Sequence, residues 1–250
     1  MEKKKLAFTL AEGATHVGTW KVSRQVAFTL AEVLITLGVI GVVAGITMPV
    51  LINKHKEHVT VNKVKKFYSL INQTILHSIS ENGYLNEWDV SSEISQSAHS
   101  DEFAPYITKY LKIIKDCGTN SGCLQYKNNP LLLNGTEAYA NYDENTDFYK
   151  IILSDGSYIW FQSYSYPSPY CKVTNKYFDN LCAIFYIDIN GKKAPNTVAK
   201  DIFSFYVDAS GATKPLPASE DCYLDSKGWG CMSYILQNGN MNYPKEKPTE

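Results

Sequence analysis

The sequence predicts an α+β fold: a long N-terminal helix, transmembrane first and amphipathic after, packed on a small antiparallel β-sheet with disulfide-stapled loops. Three observations carry that expectation. Val33 to Ile52 is a run of twenty uncharged residues, and beyond it apolar residues continue at helical spacing. From Tyr149 the period changes to two, and turn dipeptides punctuate the pattern. All six cysteines follow the apolar run, in one compartment.

Residues 1–27 are basic, with Lys3, Lys4, Lys5, Lys21 and Arg24 against Glu2 and Glu12. That excess favours a cytoplasmic location for the leader by the positive-inside rule. Within it, Leu6-Ala7-Phe8-Thr9-Leu10-Ala11-Glu12-Gly13 nearly copies Val26-Ala27-Phe28-Thr29-Leu30-Ala31-Glu32-Val33. Only the second copy leads into a membrane-length run; the first leads into Gly13-Ala14-Thr15-His16, which cannot span. The first copy reads as a duplicated or over-long leader rather than a second functional site.

Residues 28–82 read as one helix. The uncharged run makes roughly 30 Å of helix, the thickness of a bilayer's hydrocarbon core. Glu32 sits at its mouth, where a lone carboxylate is costly in lipid and usually has a task. A secretory signal peptide is excluded, because the apolar region is too long and no A-x-A site follows it. A plain anchor fits the length and leaves Glu32 unexplained. After Pro49, which removes one backbone hydrogen bond and predicts a kink or loosening, Val64, Phe67, Tyr68, Ile71, Ile75 and Ile79 keep helical spacing, and Gly83 stops the helix. His55 and His58, beside Lys54 and Lys56, read as interfacial side chains rather than a metal pair.

Residues 83–148 read as a polar, irregular connecting region. It holds one short amphipathic helix, Phe103 to Ile114, with Phe103, Tyr106, Ile107, Tyr110 and Ile114 on one side and Pro105 in its first turn. Asp143, Glu144 and Asp147 read as a solvated acidic loop. Residues 149–250 hold the sheet and a C-terminal loop. Tyr149 to Leu153 and Ser157 to Phe161 flank Asp155-Gly156, a strong hairpin signal. Ala183 to Ile189 turns at Asn190-Gly191, and Ile202 to Val207 turns at Ser210-Gly211, giving a meander of about four strands whose apolar face packs on the long helix. Gln237 to Met241 reads as a turn, and Pro244 to Glu250 as a frayed end.

Cys117, Cys123, Cys171, Cys182, Cys222 and Cys231 allow 15 pairings, of which the sequential one, Cys117–Cys123, Cys171–Cys182 and Cys222–Cys231, is the simplest. Zinc is the rival, but there is no C-x-x-C and no His follows the first cysteine. Disulfides place the globular part outside the cytoplasmic membrane. About 170–200 residues then remain for one ordinary domain. Setting aside the five basic and two acidic leader residues leaves a net charge of −4, which is no nucleic-acid-binding balance. The 18 tyrosines suit half-buried strands. No G-x-S-x-G, P-loop, H-E-x-x-H or dinucleotide fingerprint occurs, so no enzyme is expected.

Phe28-Thr29-Leu30-x-Glu32, followed by an uncharged apolar helix, closely resembles the N-terminus of type IV pilins and type II secretion pseudopilins. That resemblance implies a pilin-like fold whose spine is the long helix. It also implies a prepilin peptidase that cuts between Ala27 and Phe28 and methylates the new amine of Phe28. The family residue before the cut is usually Gly; here it is Ala27. The family's assembly glutamate falls on Glu32, neutralised by the methylated amine of a neighbouring subunit. Asp188-Ile189-Asn190-Gly191, Pro195-Asn196 and Asp201-Ile202-Phe203 resemble the run that joins two central strands in pseudopilin-like proteins. Calcium-binding members make Asp188, Asn190 and Asp201 a candidate cation site. The alternative is a turn whose Asp201 acts as a cap, and the carboxylates of an EF-hand are absent. Apart from that calcium no cofactor is expected. Cys222 to Cys231 with Gly228-Trp229-Gly230 resembles the disulfide-closed C-terminal loop of many pilins.

The expected function is a structural subunit of a type IV pilus or type II secretion pseudopilus, single-pass in the inner membrane with its globular part on the extracytoplasmic side, then in the filament. Expected partners are like subunits, the prepilin peptidase and the inner-membrane assembly platform, and no nucleic acid. The alternative is a minor pilin acting as a tip binding module, suggested by the long 84–146 stretch and by Tyr164, Tyr166 and Tyr170.

Overall fold

The computed structural model describes residues 29–90, 96–138, 141–164, 171–174 and 177–247. The expected cleavage site at Ala27 and Phe28, the upstream near-copy, Tyr166 and Tyr170 lie outside the described residues. The elements run α1 (Leu30–Asn82), a short 3₁₀ turn (Leu85–Glu87), α2 (Gln96–Thr108), β1 (Ile113–Gly118), β2 (Tyr149–Leu153), β3 (Tyr158–Ser163), β4 (Leu181–Asp188), β5 (Ile202–Asp208), β6 (Thr213–Lys214), α3 (Ala218–Asp221) and α4 (Cys231–Asn238). The architecture is α+β, as the sequence predicts. The chain divides into two compact units, one up to Pro49 and one from Val50.

In the first unit α1 presents its apolar side chains to the surroundings, Leu34 at 61% and Ile46 at 68% exposure. The helix is long and apolar enough to cross a membrane. It starts on a capping box: the Thr29 amide and hydroxyl both donate to Glu32 Oε2, at 2.8 and 2.9 Å, while the Glu32 amide donates to Thr29 Oγ1 at 3.2 Å.

In the second unit the amphipathic half of α1 buries Val61, Val64, Phe67, Ile71, Thr74, Ile75 and Ser78, spaced three or four residues apart except for the adjacent Thr74 and Ile75. The helix ends where Gly83 takes a left-handed φ of +80° and its amide returns to the Ile79 carbonyl at 3.0 Å. The sheet is a six-stranded antiparallel meander in the order β1-β2-β3-β4-β5-β6. Register puts Tyr149 opposite Phe161, Phe161 opposite Phe185 and Phe185 opposite Phe205. These four rings form a row with centroids 5.1–5.4 Å apart, and Phe103 of α2 stands 5.8 and 6.2 Å from Phe161 and Phe185. Tyr68 of α1 stands edge-on to Phe205 at 6.1 Å, and its hydroxyl donates to the Thr213 carbonyl at 2.6 Å. Each fully buried Phe or Ile in this layer contributes roughly 1.5–3 kcal/mol of burial free energy.

Two expectations are corrected. The short helix lies at Gln96–Thr108 rather than Phe103–Ile114, so Pro105 falls in its second half. The reason is β1: Ile113 and Asp116 pair with Leu153 and Ile151 as an edge strand, and Ile114 is 66% exposed. Phe103 and Ile107 of α2 are fully buried against the sheet, so this region belongs to the core rather than to an irregular insertion. The sheet also hides both faces. Opposite the helices, Trp160 stacks on Tyr186 with centroids 5.6 Å apart, under Tyr142, Phe148 and Trp229. The four-strand meander expected from the sequence is thus extended by β1 and by the two-residue β6.

Candidate functional site

The three disulfides are Cys117–Cys123, Cys171–Cys182 and Cys222–Cys231, the sequential pattern. The first closes a loop that two charges hold from either side. Asp143 accepts the amides of Gly122, Cys123 and Leu124 at 2.8–3.1 Å. Lys150, fully buried in β2, donates to the carbonyls of Thr119 and Asn120 at 2.8 and 3.4 Å. Burial lowers the Lys150 pKa, opposed by the charges of Asp143, Asp101 and Asp147. The solvated acidic loop expected around Asp143 is therefore corrected: its first residue is a structural acceptor.

The β4–β5 connection brings Asp188, Asn190 and Asp201 together. Asp188 ends β4, fully buried, and Asp201 precedes β5 at 2% exposure. Asp201 Oδ1 accepts the Thr197 amide at 2.6 Å. Its Oδ2 accepts the Asn196 amide at 2.8 Å and the Asn190 side-chain amide at 3.1 Å. Asp188 Oδ1 accepts the Asn190 amide at 3.0 Å, and its Oδ2 accepts the Tyr126 hydroxyl at 3.0 Å. Burial, followed by the charge of Asp201, pushes the Asp188 carboxyl up to about 8. Burial raises Asp201 as well, against the amides that hold its charged form, and pushes Tyr126 well above the usual phenol range.

Calcium takes six to eight oxygens. Of the oxygens on these three side chains, Asn190 Oδ1 alone has no hydrogen-bond partner. As arranged, the carboxylates organise the connection: Asp201 gathers the backbone of residues 196 and 197, and Asp188 anchors Tyr126. Among the described residues no group of three or more His, Cys, Asp and Glu is placed to share a metal. His55 and His58 are both exposed on α1.

Sequence reasoning missed two features here. The Thr29-x-x-Glu32 capping box was legible as a [ST]-x-x-E motif, and it gives Glu32 a role within its own helix. The second is a concavity of about 390 Å³ beside this connection, lined by His55, Lys56 and Lys63 of α1 and by Lys193 and Lys200. Its lysines lie 144 residues apart at the extremes, from Lys56 to Lys200, so no sequence window shows them together.

No curated protein and no solved structure matches the chain. A family model does match it over residues 50–242, which begins with the second compact unit and takes in all the strands. By that match the chain belongs to a family of unknown function, DUF6613.

Proposed function

We propose that this chain is a structural subunit of a membrane-assembled helical filament, of the type IV pilus or type II secretion pseudopilus kind. It is stored in the membrane through Val33–Ile52 and assembled through the same helix. The observation that carries the reading is α1 itself. It is a 53-residue helix whose first part exposes apolar side chains all round and whose later part buries one face against a sheet. Exposed apolar surface of that extent needs lipid or like helices to cover it. Gly41 and Gly45, four residues apart, leave open backbone where a second helix can approach closely. In this reading the peptidase acts between Ala27 and Phe28, the assembly platform extracts the processed subunit, and the globular part lies outside the cytoplasmic membrane with its disulfides. No catalytic role is proposed.

Glu32 has two possible tasks, capping and intersubunit charge pairing, and one substitution separates them. Glu32→Gln keeps the capping box, because Gln can serve it equally, and removes the charge. If the charge pairs with the Phe28 amine of a neighbour, Glu32→Gln inserts into membranes normally and is depleted from purified filaments at least tenfold. Wild-type incorporation of Glu32→Gln would refute charge pairing.

A minor-subunit reading has one observation of its own. A concavity of about 520 Å³ is lined by Tyr177, Phe178, Tyr223 and Trp229 together with Glu220 and Asp225. Such aromatic walls with a few polar groups suit ligand capture at a filament tip. Stoichiometric recovery in filaments supports the structural role; trace recovery supports the tip role.

A further inference from the structure

We propose that the basic concavity beside the β4–β5 connection binds the phosphate group of an anionic membrane phospholipid. Lys56 and Lys63 reach it from α1 and Lys193 and Lys200 from the connection, with His55 at its edge. Lys63 is held in place by donating to the Ile189 carbonyl at 2.8 Å. The one carboxylate in the lining, Asp201, is 2% exposed and spends both oxygens on the backbone of residues 196 and 197 and on Asn190. Glu57, the acidic neighbour on the helix, instead accepts the Met241 amide at 2.7 Å. The concavity is therefore lined by four lysines, three of them exposed and Lys63 tied to a backbone carbonyl, and by no exposed carboxylate. Ammonium groups are point-charge binders of phosphate. The chain beyond its leader is acidic overall, so this cationic lining is local rather than general.

Position supplies the second argument. His55 and Lys56 follow Ile52, the last residue of the apolar run, by three and four residues. That is about 4.5–6 Å along the helix, which is headgroup depth when the run spans a bilayer. This step rests on the membrane-spanning reading of α1. Phosphatidylglycerol, which carries both a charged phosphate and hydroxyls, is the natural probe.

The experiment uses the full chain in neutral detergent micelles, with bound ligand counted by native mass spectrometry. The probes are phosphatidylglycerol, phosphatidylcholine, inorganic phosphate and a short DNA duplex. The pair Lys193→Ala/Lys200→Ala is compared with Lys127→Ala/Lys172→Ala, which removes the same charge from exposed positions elsewhere. A lysine near an anionic lipid surface is worth about fivefold in affinity, or about 1 kcal/mol. The pocket variant is expected to lose about 25-fold for phosphatidylglycerol, the control variant less than twofold, and phosphatidylcholine to bind weakly throughout. Equal losses in both variants overturn the proposal, as does retention of inorganic phosphate or DNA in preference to phosphatidylglycerol. Resistance to alkaline carbonate in pure phosphatidylcholine vesicles tests the span separately. Insertion without headgroup selectivity overturns the pocket alone; selectivity without insertion overturns the span, and with it the placement of the pocket at headgroup depth.

Discussion

Replacing Asp188 by Asn removes one ionisable group from the buried end of β4 and nearly keeps its shape. In the folded chain burial and the nearby Asp201 push the Asp188 carboxyl from an ordinary 3.8 up to about 8. Between those values the folded chain holds a proton that the unfolded chain has released. Stability therefore falls as pH rises from about 4 to about 8 and levels off above. At 1.36 kcal/mol per pH unit the whole interval is worth on the order of 5 kcal/mol. Asp201, raised for the same reason, acts in the same direction. The Asn variant keeps one acceptor for the Asn190 amide or the Tyr126 hydroxyl and loses the other, at a cost of about 1 kcal/mol. The variant should thus be less stable than wild type by about 1 kcal/mol at pH 3 and more stable by roughly 4–5 kcal/mol at pH 8.5, with the curves crossing at about pH 4.5. Urea unfolding of the full, oxidised chain in neutral micelles, followed by tryptophan fluorescence in half-unit pH steps, reads this directly. Parallel curves for the two chains would refute the reasoning. Millimolar calcium at pH 8 should leave both midpoints unchanged, since the carboxylate oxygens already accept hydrogen bonds. A calcium-dependent rise confined to wild type would place the cation at Asp188 and Asp201.

Other substitutions test other parts of the fold. Asp143→Ala leaves the amides of Gly122, Cys123 and Leu124 without their acceptor, and should cost about 2–4 kcal/mol in the same unfolding assay, given that Asp143 is partly exposed. Phe205→Ala opens a void in the aromatic row beneath Tyr68 and should cost about 3–5 kcal/mol. Replacing Cys222 and Cys231 together by Ser frees a loop with a sequence separation of 9, and should lower stability by about 3 kcal/mol.

Much of the fold could be read from local patterns. The spine helix, its stop at Gly83, the Asp155-Gly156 hairpin and the sequential disulfides all depend on neighbours a few residues apart. What escaped reading depends on distant partners. β1 is a bulged edge strand whose residues Ile114 to Asp116 are exposed, so Ile113 and Ile114 looked like the tail of a helix rather than a strand of period two. β6 is two residues long and exists because it pairs with Tyr206 and Val207. α4 did have a signal, Met232 and Ile235 three residues apart, and Gly239, which the sequence places in a turn, ends it at φ +67°. The site divides the same way. Asp188-x-Asn190-Gly191 and Asp201 could be named from sequence, but Tyr126, which anchors Asp188 from 62 residues away, could not.

The N-terminus of the chain recovered from filaments tests most directly whether α1 is a processed assembly helix. Mass spectrometry of that material should find a mature chain beginning with N-methyl-Phe28. An N-terminus that retains Met1, on protein that never enters a filament, would contradict it.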